Sequence, residues 1–217
     1  MKNTPEWKQY EWLISKIFHD SYYSIKTTIL HDANIKGQYS ERSRQIDILV
    51  EDKNFKTIIE CKYYKNPLDV KGIESFLGMY NDVKADYGIV VALNGFSKSA
   101  NKRVSEYNDK IKLEHIDLEN AFNSFNYQSY GKVSDICNNC NNDFINGTMV
   151  PGLLLWKGGY SLEVGGILWI FNLSKCLKCG NKTLYCDSCG VVKDIGKNEF
   201  CCEYSKRFLD LLENDTL

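Results

Sequence analysis

The chain has 217 residues, 43% hydrophobic and 25% charged, with a formal net charge of −1. That composition is ordinary for a soluble protein of one large or two small domains, and the near-neutral charge gives no bulk argument for nucleic acid. A membrane span is excluded, because the most apolar region, residues 150–171, is broken by Lys157, Glu163 and several glycines.

The first eighteen residues read as an amphipathic helix and not as a secretory leader, so a cytoplasmic protein is expected. Thr4-Pro5 offers a hydroxyl cap and a proline at the first helical position. Trp7, Tyr10, Leu13, Ile14, Ile17 and Phe18 follow at helical spacing, and Glu11 falls on the stripe Trp7, Glu11, Ile14, Phe18. A carboxylate on an inward stripe needs a metal or a structural salt-bridge partner. After a variable stretch, residues 21–43, with a weak strand near residues 25–30, two apolar runs form a hairpin around Asp52-Lys53-Asn54-Phe55. Pro67 and Asp69 open a helix whose buried face is Val70, Ile73, Phe76, Leu77 and Tyr80, with Glu74 at its border. YGIVVAL is a strand covered on both sides. Asn94-Gly95 ends it, and Ser97 caps a helix through about Tyr107. IKLEHID is a further strand, and a short helix runs to about Phe125. The order α-β-β-β-α-β-α-β-α describes an α/β sandwich with a central mixed sheet.

The hairpin carries the chemistry. Centred on Lys53 and Asn54, it places Asp47 opposite Glu60, with Lys62 two residues on and the backbone carbonyl of Cys61 nearby. Cross-strand partners project to one face, so two carboxylates and an amine converge at one sheet edge. Such a site suits Mg²⁺, which takes one or two carboxylates and keeps several waters. The ion would activate a water against a phosphate, and Lys62 would orient it or stabilise developing charge. The alternative is a surface salt bridge, which is common and contributes roughly 0–1 kcal/mol. The basic runs Lys62, Lys65, Lys71 and Lys98, Lys102, Arg103 are more often solvated faces than phosphate contacts.

The ordered segments YEWLISKIF, RQIDILV, IIECKYYKNPLDVKGIESFLGMY and ADYGIVVALNGFSKSA resemble the Mrr-type restriction endonuclease domains of the PD-(D/E)xK nuclease superfamily, over residues 6 to about 117. The resemblance implies a restriction-endonuclease-like fold and Mg²⁺-dependent hydrolysis of DNA, expected in restriction of foreign or modified DNA. By position it makes Asp47 and Glu60 the metal-binding carboxylates, Lys62 the catalytic lysine and Glu11 the helix-one glutamate that supports the metal. Many members carry glutamine on the helix after the triplet, where the nearest residue here is Glu74. A repair or mobile-element nuclease, or a non-catalytic DNA- or protein-binding module on the same fold, are the competing readings. A homodimer or transient assembly is expected if the product is a double-strand break.

Eight of the nine cysteines lie from Cys137 onward, after a linker-like segment at 126–136, which gives domains of residues 1–125 and 137–217. Cys137/Cys140, Cys176/Cys179 and Cys186/Cys189 are Cys-x-x-Cys pairs, and Gly180 and Gly190 follow two of them. Two such pairs complete a tetrahedral structural zinc site, which points to a small β-rich zinc-binding domain. Redox dithiols and an iron–sulfur cluster compete with zinc. Cys201-Cys202 could complete a second site, although adjacent cysteines seldom share a metal comfortably, and spacing leaves the pairing open. Cys61 reads as a small buried hydrophobe. The tail has one arginine, Arg207, so folding or docking of a partner protein is as strong an expectation for it as DNA contact.

Overall fold

The computed structural model describes residues 4–24, 26–124, 135–140 and 150–214. The chain divides into two compact units, Met1–Asn126 and Tyr127–Leu217. The linker expected at 126–136 lies, as far as residue 134, outside the described residues.

In the first unit, helix α1 (Glu6–Tyr22) precedes strands β1 (Thr28–Lys36), β2 (Ser43–Glu51) and β3 (Lys56–Lys62). Helix α2 (Val70–Asp82), β4 (Tyr87–Ala92), α3 (Lys98–Val104), β5 (Ile111–His115) and α4 (Leu118–Ser124) follow. The sheet order is β1-β2-β3-β4-β5. The first three strands are antiparallel, and β3, β4 and β5 run parallel, so the sheet is mixed. Parallel strands need crossovers, which α2 and α3 supply. β3 is central, with Ile58 and Ile59 fully buried. Phe76, Leu77 and Tyr80 of α2 pack with Ile46, Leu49, Ile58 and Val90 of the sheet.

The caps expected at Asp69 and Ser97 are made, with Asp69 accepting from the Gly72 N–H at 3.0 Å and Ser97 from Ala100 at 3.2 Å. The start of α1 differs. Pro5 is the residue before the first helical one and Thr4 makes no cap; Gln9 instead donates its side-chain amide to the Thr4 carbonyl at 2.8 Å. Trp7, expected on the inner stripe, is 54% exposed, whereas Glu11 on the same stripe is only 6% exposed. The weak strand near residues 25–30 is the start of the nine-residue β1; Ile25 itself lies outside the described residues. β1 lies at the sheet edge, where one partner strand suffices and the burial signal is faint.

Asp82, at the end of α2, fastens the β1–β2 connection. Its carboxylate accepts from the backbone N–H groups of Tyr39 (3.0 Å) and Ser40 (2.9 Å), the Ser40 hydroxyl (2.5 Å) and Arg44 Nε (2.6 Å). A side chain at Gly37 would meet this carboxylate at 2.2 Å, so glycine is required there.

The second unit is a four-stranded antiparallel sheet, β6 (Leu154–Val164), β7 (Ile167–Cys176), β8 (Lys182–Cys186) and β9 (Val191–Asp194). Gly165 and Gly166, with φ of 61° and 79°, form the tight turn between β6 and β7. Helix α5 (Glu203–Asn214) packs Phe208 on Phe171, ring centroids 4.4 Å apart. No helix among the described residues is long and apolar enough to cross a membrane.

The donors around Asp82 hold its carboxyl well below the usual carboxylate range. Such a depressed group stabilises the fold above the unfolded value of about 4 and loses that contribution as pH falls through its folded value. Asp82→Asn is therefore expected to melt below wild type at neutral pH, with the gap narrowing under acid. Thermal melts across a pH series check this.

Candidate active site and cysteine clusters

The β2–β3 hairpin has the expected register, with Ile48 opposite Ile59, Leu49 opposite Ile58 and Val50 opposite Thr57. Asp52 closes its turn by accepting from the N–H groups of Asn54 (2.6 Å) and Phe55 (3.0 Å). The ladder stops at Ile48, one residue short of Asp47. There the Asp47 side chain takes over, with Oδ2 accepting the Cys61 N–H at 2.8 Å. On the other flank, β1 pairs His31 with Ile48 and Ala33 with Ile46 but leaves out Asp32, whose φ is +50°. Asp47 thus joins Glu60 and Lys62 through a side-chain bond across opened strand ends, and not through face alternation alone.

Lys62 donates to Glu60 Oε1 at 2.5 Å. Glu11, from α1, is paired with Lys8, which also reaches Asp32 at 2.7 Å. Gln45 holds Asp32 from β2 at 3.2 Å. Burial, then the charges of Glu60 and Glu11, push the Asp47 carboxyl up to about 7, against the Cys61 N–H and Lys62. Burial also raises Glu11, against the pull of Lys8. Cys61, expected to be a small buried hydrophobe, is only partly buried, because it lies where the strands part. Desolvation, then Asp47, Glu11 and Glu60, push its thiol well above the usual range, and what it gives the site is its backbone N–H.

These residues fit a hard divalent cation. Asp47 Oδ1 and Glu60 Oε2 have no protein partner among the described residues. Burial first, and then the charges of Glu60 and Glu11, raise Asp47, and a cation would offset both. They are grouped more loosely than the cysteines: among the described residues, only two four-cysteine sets bring three or more ligand atoms within 4.8 Å of one another. Glu74 is elsewhere, bound to Arg103 at 2.5 Å on the surface.

The cysteine sets are Cys137, Cys140, Cys176, Cys179 and Cys186, Cys189, Cys201, Cys202. Tetrahedral zinc with Zn–S of about 2.3 Å requires sulfurs roughly 3.8 Å apart. Cys137 and Cys179 are 3.8 Å apart, Cys140 and Cys176 4.0 Å, and Cys201 and Cys202 3.8 Å. The sequence pairs at 137/140 and 176/179 therefore combine, and the adjacent Cys201 and Cys202 both join the second set. They can do so because the chain bends there into α5, where the Ser205 N–H donates to the Cys202 sulfur at 3.4 Å. Gly180 and Gly190 take positive φ (72° and 65°), as the knuckle turn needs. A Cβ at Gly152 would lie 2.8 Å from the sulfurs of both Cys140 and Cys176, so Gly152 clears room for the first cluster. Without metal the thiols are mismatched: a hydrogen bond from Cys176 draws Cys137 down to about 5, while burial and its neighbours push Cys140 up to about 12. Two four-thiol clusters of this kind suggest structural zinc, with binding that displaces the shared protons.

The Mrr_cat family, restriction endonuclease, matches residues 3–119, more than half of the chain. The chain belongs to this restriction endonuclease family. No curated protein is significantly similar to it in sequence. Among solved structures, a protein of unknown function, AF1548, is similar with a TM-score of 0.43 and 17% identity over 54% of this chain and 66% of that one. The DNA modification-dependent restriction endonuclease AspBHI is similar with a TM-score of 0.34 and 10% identity over 52% of this chain and 29% of that one. The chain thus spans less than two thirds of either structure's length.

Sequence reasoning missed Lys8 and Asp32. Lys8 was findable, since it lies one helical turn before Glu11. The Asp32 position depends on a positive φ inside a strand, for which β1 gives no sequence signal.

Because the folded Asp47 carboxyl titrates near 7 and an unfolded one near about 3.9, the metal-free protein is expected to lose stability as pH rises between those values. In buffer free of Mg²⁺ and Mn²⁺, with no chelator to strip the cysteine clusters, Asp47→Asn should exceed wild type in stability by on the order of 1–3 kcal/mol near about pH 8, the gap closing below about pH 4. Denaturant titrations check this. Elemental analysis should find two zinc ions per full-length chain, falling to one in Cys202→Ser; Gly152→Ala should weaken the first site selectively.

Proposed function

We propose that this protein is a Mg²⁺-dependent DNA endonuclease acting in restriction of foreign or modified DNA. The observation that carries the reading is the Asp47 carboxylate bound to the N–H of Cys61, between the Glu60 and Lys62 of the same strand. This arrangement lies within the residues matched by the restriction endonuclease family.

Asp47 and Glu60 would hold the ion, with Glu11 supporting them from α1. A bound Mg²⁺ would polarise the phosphodiester and lower the pKa of an attacking water. The chain's own contribution is positioning. The Cys61 N–H fixes one oxygen of Asp47 and leaves the other directed by geometry alone. Lys8 keeps Glu11 in place from the adjacent helical turn. Burial works against the charge on Lys62, but Glu60 more than compensates and raises its pKa. Lys62 therefore stays protonated at neutral pH and acts by orienting the nucleophile or stabilising phosphate charge, not by removing a proton.

The cytoplasm, where entering DNA is met, suits this activity. A dimer would supply the two sites needed for a double-strand break. The cysteine-rich unit serves folding or the docking of a partner protein or DNA.

Full-length protein with Mg²⁺ or Mn²⁺ is expected to nick or cut DNA from a panel of methylated, unmethylated and branched substrates. Asp47→Ala and Lys62→Ala should each lower the rate by at least about 10²-fold with melting behaviour that shows a folded protein. If both cut like wild type, the assignment is wrong. Folded wild type that binds DNA but cuts none of the panel would instead mark a binding module, and a preference for branched DNA would mark repair.

A further inference from the structure

We propose that Arg44 is a phosphate anchor for the DNA strand beside the Asp47–Glu60 site, an inference that rests on the nuclease reading above. A cavity of about 220 Å³ opens next to Glu60, its wall formed by Ser43, Arg44 and Gln45 of β2 and by Ser75 and Met79 of α2. Three carboxylates stand in or near this region, and the chain carries a net charge of −1. A metal held by Asp47 and Glu60 would answer the scissile phosphate, and the flanking phosphates of a polyanion still need a protein cation of their own beside the site. Lys62 is held by Glu60, and Lys8 by Glu11 and Asp32. Gln45, too, is committed to Asp32.

Arg44 is different. Its Nε donates to Asp82 Oδ2 at 2.6 Å, and its two terminal amino groups have no partner among the described residues. A guanidinium carries five N–H donors in a rigid fork that matches phosphate oxygens, so one bond to Asp82 leaves most of the fork available. The side chain is 36% exposed, whereas that of Asp82 is 5% exposed. Asp82 also accepts from Tyr39, from the Ser40 N–H and from the Ser40 hydroxyl, which fixes it as a mount. The mount orients the guanidinium in advance, so little side-chain freedom is left to lose when a phosphate binds. Arg44 and Glu60 line the same cavity, which places the anchor beside one of the two proposed metal carboxylates. The hydroxyl of Ser75, exposed at the cavity, adds a neutral donor, whereas that of Ser43 donates to Asn34 Oδ1 at 3.4 Å. The ligand class is a phosphodiester of the strand being cut, adjacent to the scissile one.

The test uses the full-length protein with Ca²⁺ in place of Mg²⁺, and fluorescence anisotropy of a labelled duplex over a salt series. Arg44→Gln is expected to weaken binding about tenfold for any sequence and to reduce the slope of log K against log salt by about 1. Arg44→Lys should restore the slope but only part of the affinity, because it keeps the charge and loses the fork. Since Arg44→Gln also removes a bond to Asp82, Ser75→Glu provides a second variant on an exposed surface, expected to weaken binding through repulsion while melting like wild type. Inorganic phosphate should compete poorly with the duplex; strong, Arg44-dependent competition would assign the cavity to free phosphate and overturn the proposal. Wild-type affinity and slope in both Arg44→Gln and Ser75→Glu would overturn the anchor and leave the nuclease reading intact. Failure of the wild type itself to bind or cut any DNA would overturn both.

Discussion

The hydrogen bond from the Cys61 N–H to Asp47 is the constraint on which the candidate site depends. A continued ladder would have spent the neighbouring backbone groups on each other and left Asp47 to project freely. Instead the strands part after Ile48 and Ile59, and a carboxylate enters the gap. The bond partly offsets the cost of burying Asp47 beside Glu60 and Glu11, which otherwise drives its pKa upward. Relief of such repulsion by a divalent cation would make ion binding and site assembly one event.

Two lysines temper this charge from opposite sides. Lys62 is covalently placed by its strand, two residues from Glu60, and answers that carboxylate directly. Lys8 approaches from α1 and ties Glu11 to Asp32, which sits at an interruption of β1 with a backbone conformation unusual for a non-glycine residue. The helix and both flanking strands are thereby connected through side chains around Asp47. Asp82, from α2, plays a comparable part at the start of β2, where it fixes the β1–β2 connection and the guanidinium of Arg44 together.

The cysteine-rich unit has a different physical basis. Its apolar cluster is small, built on Phe171, Leu184 and Cys186 with Phe208 and Leu209 from α5. Domains of this size often lack the burial needed to fold alone, and two four-thiol clusters can supply the missing stabilisation when loaded. Each cluster joins distant parts of the chain, Cys137 to Cys179 and Cys186 to Cys202, so metal would close loops as well as bind ligands.

The sequence by itself determined the element order of the first unit, the hairpin register and the caps at Asp69 and Ser97, because these depend on local periodicity and turn chemistry, whereas it did not show the terminal helix α5. It also marked Glu11, Asp47, Glu60 and Lys62, since charges among apolar residues stand out in any linear reading. The tertiary structure decided what linear spacing cannot encode. It turned Asp47 toward Cys61, set Asp32 in the left-handed region, sent Glu74 to Arg103 and exposed Trp7. It also paired the cysteines, including the adjacent two whose sharing of one cluster requires the bend into α5. Asp47 with Cys61 and Glu74 with Arg103 are contacts between residues far apart in the chain, and Asp32 depends on a backbone angle; neither leaves a periodic trace in the sequence.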